Sequence, residues 1–278
     1  MWKERIILIV VSLAIAAALY SLPTVVVDNK NSNSGGRSGD MSVSVNESID
    51  RGSIGSTQLS AIQTLRDSIN LIQDNEKSLI FADSLANLYS KLSVFDSAAH
   101  FADLAASINN TIDSHIKAGN YYYQAFNFAS NQELAEEFAE KTRYHLNYVL
   151  EQSNNQGSQE QVLEAKTKIA LTYISSANPM QGIFMLREVL ETDPDHELAL
   201  LNMGLLSIKS GQYDKAQLRF KKLVEVNPDH LDGHFYLGIS YLETGQDNLA
   251  KEQFEIAKSL NPPAEVEQAI DQYLKELI

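Results

Sequence analysis

Residues 197–230 read ELALLNMGLLSIKSGQYDKAQLRFKKLVEVNPDH, and residues 231–262 read LDGHFYLGISYLETGQDNLAKEQFEIAKSLNP. Set in register, Gly204 falls on Gly238, Gly211 on Gly245, Ala216 on Ala250 and Phe220 on Phe254, while Pro194, Pro228 and Pro262 follow one another at intervals of 34 residues. Each segment predicts a helix with a small residue where its partner crosses, a turn whose glycine tolerates positive φ, and a second helix whose Ala and Phe face back onto the first. The proline punctuates the exit, and Asp195 and Asp229 are placed to cap the helix that follows.

That pattern of Leu-Gly, Tyr, Gly, Ala, Phe and Pro in a 34-residue helix-turn-helix unit resembles the tetratricopeptide repeat family. Residues 197–230 match it, as do residues 231–262 with Leu237-Gly238, Tyr241, Gly245, Ala250, Phe254 and Pro262. A unit at 163–196 matches through Ile169-Ala170, Tyr173, Leu186 and Pro194, but it carries Asn178-Pro179 at the turn and Gly182 where a small alanine is usual. An earlier unit at 79–112 keeps Leu85-Ala86, Tyr89, Ala98 and Ala105 and lacks the closing proline. The resemblance covers about half the chain and implies an all-α solenoid of stacked helical hairpins that binds protein or peptide partners.

Around these units the chain is less regular. Residues 113–162 are too many for one unit and suggest two longer helices, near 113–128 and 132–153. Eight of the Tyr and Phe residues crowd between 118 and 148: Tyr121, Tyr122, Tyr123, Phe126, Phe128, Phe138, Tyr144 and Tyr148. They read as the aromatic core of an oversized hairpin, with a ligand surface as the alternative. Leu59, Ile62, Leu65, Ile69 and Ile72 form one stripe of a helix over 58–73 that begins the domain. Pro263 opens a capping helix over 263–278, with Val266, Ile270, Tyr273, Leu274 and Leu277 facing inward.

The chain begins differently. Ile6 to Leu22 is uncharged over 17 residues, with Val25 to Val27 beyond Pro23, a length that matches a bilayer core. Lys3 and Arg5 precede it, so an anchor over 1–27 is expected to leave the amino terminus in the cytosol and the rest outside a bacterial inner membrane, in the periplasm. A signal peptide cleaved near Ala14-Ile15-Ala16 or Ala16-Ala17-Ala18 is the alternative. Residues 28–55, rich in Ser, Asn, Gly and Asp, read as a flexible tether with a reach of about 30 Å. The repeat domain then occupies 56–278.

The whole chain of 278 residues holds 22 basic and 36 acidic side chains for a net charge of −14, and no cysteine. Lys3, Glu4 and Arg5 carry +1 between them, so residues after 27 hold 20 basic and 35 acidic groups, a net of −15. This acidity argues against a nucleic-acid partner or a polybasic membrane-surface role. Without cysteine there is no disulfide, thiolate metal site or thiol nucleophile. None of the six histidines sits in a catalytic or metal-binding pattern. His196-Glu197 opens a zincin-like motif, but Leu200 stands where its second histidine belongs. His230 and His234, with Asp229 and Asp232, have a metal-compatible spacing, yet His230 shares its repeat position with His196 at a helix junction, which favours a structural role. No cofactor, metal or enzymatic activity is expected.

The first helix of the late units is apolar nearly all round. Leu200, Met203, Gly204 and Ser207 form its buried stripe, leaving Leu198, Leu201, Leu205 and Ile208 on the other side, with Phe235, Ile239 and Leu242 at corresponding positions in the next unit and Leu171 and Ile174 in the preceding one. By resemblance these nine residues line the concave groove in which such proteins hold a partner. The groove lacks the Lys and Asn row of the carboxylate-clamp members, so an apolar helix or segment is the expected ligand. Two alternatives stay open: the row is filled by the chain's own carboxy-terminal helix or aromatic hairpin, or it is a homo-oligomer contact.

Overall fold

The computed structural model describes residues 56–71, 74–156 and 158–277, which fall in one compact unit. The expected anchor and tether lie outside the described residues. Among the described residues every regular element is an α-helix. They are α1 (Ser56–Leu71), α2 (Asn75–Lys91), α3 (Phe95–Asn109), α4 (Ile112–Asn127), α5 (Gln132–Gln156), α6 (Gln159–Ile174), α7 (Pro179–Thr192), α8 (Glu197–Lys209), α9 (Tyr213–Val226), α10 (Leu231–Glu243), α11 (Asp247–Ser259) and α12 (Ala264–Glu276). Each helix packs on the next in sequence, and first helices of neighbouring hairpins also touch, α8 with α10 and α4 with α6. That contact pattern belongs to a solenoid, in which every unit is buried by its neighbours.

The glycines do what their spacing predicts. A Cβ on Gly204 would lie 2.5 Å from the Phe220 ring, and one on Gly238 would lie 2.7 Å from the Phe254 ring, so each phenylalanine is seated on bare backbone. Gly211 and Gly245 adopt φ of 69° and 73°, the left-handed turn conformation that costs glycine little. In the earliest hairpin Ser93 takes that conformation without help from glycine, at φ 58°. That hairpin also closes without proline: Asn110 turns left-handed at φ 42°, and Thr111 and Ser114 form a capping box on α4. Gly182, the departure from the repeat pattern, marks the tightest helix crossing, because a Cβ there would stand 2.2 Å from the Ala170 carbonyl oxygen.

The capping residues differ from expectation. Asp195 and Asp229 do not cap α8 and α10. His196 and His230 do, their Nδ1 atoms accepting from the backbone N–H of Ala199 at 3.3 Å and of Gly233 at 3.1 Å. Each helix begins one residue later than an aspartate cap would require, and Asp195 is drawn instead to Lys222, 2.6 Å away. His234 is held as well, with ring nitrogens 2.8 Å from the Gln253 side-chain amide and 2.8 Å from the Pro228 carbonyl. The three late histidines are thus structural. At the end of the chain Ile270 is fully buried, and Tyr273 stacks on Phe254 with centroids 5.0 Å apart, which closes the solenoid.

Candidate functional site

Polar side chains join the first helices of the early hairpins. Lys117 Nζ on α4 donates to Asp83 Oδ1 on α2 at 2.8 Å, Tyr121 Oη donates to Asn87 Oδ1 at 3.2 Å, and Lys168 Nζ on α6 donates to Asn120 Oδ1 on α4 at 2.7 Å. Counted from the small residues Ala86, Gly204 and Gly238, the positions of Asp83 and Asn87 are taken in the late repeats by Leu201 and Leu205, then Phe235 and Ile239.

The structure divides the nine expected groove residues. Leu171 and Phe235 are core, at 8% and 5% exposure. Phe235 is covered by the capping helix and by α11, with ring centroids 6.1 Å from Tyr273 and 6.0 Å from Phe254. Ile174 packs toward α7, where its Cγ1 would lie 2.7 Å from a Cβ on Gly182. Leu198 leans on the cluster formed by Leu163, Leu171, Leu186 and Met203. Leu201, Leu205 and Ile208 on α8 and Ile239 and Leu242 on α10 are half-buried against the carboxy-terminal core, each keeping some surface. They form a continuous apolar strip on two touching helices.

A second constellation has no signature in the sequence. Asp103 on α3 gathers donors from two helices: Tyr122 Oη at 3.1 Å and Lys141 Nζ at 3.2 Å reach Oδ2, and His145 Nε2 lies 3.2 Å from Oδ1. On its other edge His145 Nδ1 meets His115 Nδ1 at 3.1 Å, so only one of those two nitrogens carries a hydrogen. His115 Nε2 faces Asn110 Oδ1 at 3.1 Å, and its ring stacks on Tyr148 with centroids 3.8 Å apart. Hydrogen bonding and charge from His145, with help from Lys141, hold the Asp103 carboxyl far below the usual carboxylate range. Burial pushes the Tyr122 phenol up, and the Asp103 charge adds to the shift. Burial and the neighbouring His145 push the His115 imidazole down.

The aromatic crowd of α4 and α5 thus serves two purposes. Tyr122 is buried and Tyr148 half-buried around the histidine pair, Tyr144 meets His145 edge-on while staying largely exposed, and Phe128 is largely exposed against Phe95. Among the described residues no group of three metal-ligating side chains converges: Asp103 and His115 lie on opposite edges of the His145 ring.

Residues 198–230 match the tetratricopeptide repeat family. The chain carries a tetratricopeptide repeat. The matched segment spans α8 and α9, the hairpin in which Phe220 is seated on Gly204. No curated protein matches the chain in sequence. Among solved structures it is similar to the apo form of the quorum sensor NprR from B. thuringiensis, with TM-score 0.57 and 14% identity over 78% of this chain and 62% of that one. A MamA structure aligns at TM-score 0.47 and 15% identity, over 66% of this chain and 92% of that chain. YrrB, described as a TPR protein with an unusual peptide-binding site, aligns at TM-score 0.44 and 17% identity, over 77% of this chain and 99% of that one. At 14% identity what is shared with NprR is the fold. The repeat matched at 198–230 and this likeness together give the chain a tetratricopeptide-type helical fold.

Proposed function

We propose that the chain is a membrane-anchored scaffold or adaptor, with a binding rather than a catalytic role, that holds a protein partner on the apolar strip of α8 and α10. The strip carries the reading: Leu201, Leu205, Ile208, Ile239 and Leu242 are half-buried against one cluster on two touching helices, whereas Leu171 and Phe235 of the same row are core. Contiguous apolar surface of this kind favours an amphipathic helix or a hydrophobic extended segment as ligand. Anchorage rests on the uncharged run from Ile6 to Leu22 and the polar stretch after it. Together they would keep the repeat domain on a tether at the periplasmic face of an inner membrane.

Leu201→Glu with Leu205→Glu should abolish crosslinking of the full-length chain to its partner in native membranes, while the melting temperature falls by only a few degrees. A collapse of the melting transition would make the strip core and overturn the assignment. Phe235→Glu is the contrasting case. It buries an unpaired carboxylate against Phe254 and Tyr273, and should cost about 3 kcal/mol or more, read as loss of helical signal in urea. Sedimentation of the same chain separates partner binding from self-assembly, since a strip used between copies would give dimers that Leu201→Glu dissociates.

For topology, a reporter active only in the periplasm and fused after Ile278 should be active. An inactive fusion would reverse the orientation. Cleavage after Ala16 or Ala18 would give a mature chain about 1.8 to 2 kDa lighter, at about 0.11 kDa per residue, a ratio set by 30.9 kDa over 278 residues.

A further inference from the structure

The opposite face of the matched hairpin holds a cleft of about 430 Å³ between α6, α7, α8 and α9. At 100° per residue, Met203, Leu206 and Ser207, which line it, fall on the side of α8 away from Leu201, Leu205 and Ile208. Its apolar floor includes Ile174, Met180, Ile183, Met203 and Leu206. Arg187, Lys209, Lys215 and Arg219 stand in its wall, and no carboxylate lines it. In a chain of net charge −14 this concentration of unopposed cations is exceptional.

The cations are held without neutralisation. Arg219 is half-buried and fixed by donating to Ser207 Oγ at 2.7 Å and to the Lys215 carbonyl at 3.3 Å, both uncharged acceptors. Burial and the nearby Arg187 charge push the Arg219 guanidinium below its ordinary value, the mark of two like charges sharing one space. Arg187 itself lies over the Phe184 ring, 5.6 Å from its centroid. Phe184 and Leu218, 34 residues apart on α7 and α9, are 54% and 70% exposed, so an apolar shoulder repeats beside the cleft.

We infer that this cleft is a second docking site, separate from the α8–α10 strip, for an acidic protein segment that inserts aliphatic side chains against Met180, Ile183 and Leu206 and sets its carboxylates against Arg187, Lys215 and Arg219. The volume suits a few side chains, and the floor and wall demand that both chemistries come from one ligand. A polyanionic surface such as a bilayer or a nucleic acid fits worse. It would bring its charge against the whole acidic domain, whereas a short segment meets only the local positive wall.

The test is fluorescence anisotropy of the full-length chain with a fluorescein-labelled, end-capped peptide of alternating Glu and Leu, beside its Gln and Leu counterpart. The acidic peptide should bind, and its affinity should fall about tenfold between about 50 mM and about 500 mM salt. Arg187→Glu with Lys215→Glu, both on exposed side chains, should weaken it about tenfold or more with the helical signal unchanged. Leu201→Glu should leave it as it was, so that failure of the strip and failure of the cleft are told apart. Equal binding of the Gln and Leu peptide, or full affinity in the charge-reversed chain, overturns the inference. So does binding of phosphatidylglycerol vesicles, abolished by the charge reversal, in the absence of peptide binding.

Discussion

Phe220→Ala should remove about 3–5 kcal/mol of stability, a loss large enough to melt the late repeats of a domain whose whole margin is of order 5–15 kcal/mol. Phe220 is fully buried, and its ring joins three helices. It rises from α9, lies on the bare backbone at Gly204 of α8, and stacks on Tyr236 of α10 with centroids 5.7 Å apart. Truncation leaves a void that Gly204 has no side chain to fill, and it removes a contact between units in a fold held together by nearest neighbours. Gly204→Ala alone should also destabilise, because its methyl would drive into the Phe220 ring from 2.5 Å. The double variant should lose less than the sum of the two, since the methyl enters the space the ring vacates. Urea unfolding followed by circular dichroism measures all three. A loss below 1 kcal/mol for Phe220→Ala, or strict additivity, would show that the ring is not seated as described.

What the sequence discloses follows from how far apart the determining residues are. Gly204 with Phe220, Gly238 with Phe254, and the turns at Gly211 and Gly245 are legible because a repeat restates each contact at the same offset, so chance matches are filtered by recurrence. The helix caps fall one residue after Asp195 and Asp229, on His196 and His230. Asp outranks His as a general capping residue, but which of the two faces the first turn depends on where the helix starts, and Lys222, on a different helix, draws Asp195 away. Phe235 and Leu171 are core for a related reason: register fixes the side of a helix, while neighbouring elements, such as the capping helix over Phe235, decide what covers it. Asp103, His115 and His145 sit on three helices at spacings that correspond to no motif, and only packing brings them together. The cleft likewise draws on four helices, and its excess of positive charge is invisible in a total that is strongly negative.

Asp103→Asn should cost about 2–3 kcal/mol at neutral pH, and the cost should shrink in acid. The amide keeps the size of the carboxylate, and its oxygen in the place of Oδ2 can still accept from Tyr122 and Lys141, but it brings no charge and presents an N–H₂ in the place of Oδ1 to His145 Nε2. The wild-type carboxyl is held below its ordinary value of 3.8, so the unfolded chain takes up the proton first as acid is added. Its contribution is therefore complete above about pH 5, begins to be lost as the pH falls through 3.8, and keeps falling toward the much lower folded value, so wild type and variant should converge only in stronger acid. His115 acts in a higher window with the same sign. Its folded value lies below 6.5, and its neutral form is the one that satisfies a nitrogen-to-nitrogen contact holding a single proton, so stability should decline as the pH falls below 6.5. In Asp103→Asn this decline should be steeper, because the Asp103 charge that partly supports a proton on His115 has gone. Urea midpoints of both chains from about pH 7.5 down to about pH 2 separate the two windows. A difference between wild type and variant that is independent of pH would mean that Asp103 contributes as a neutral hydrogen-bonding group and not as the charge at the centre of the cluster.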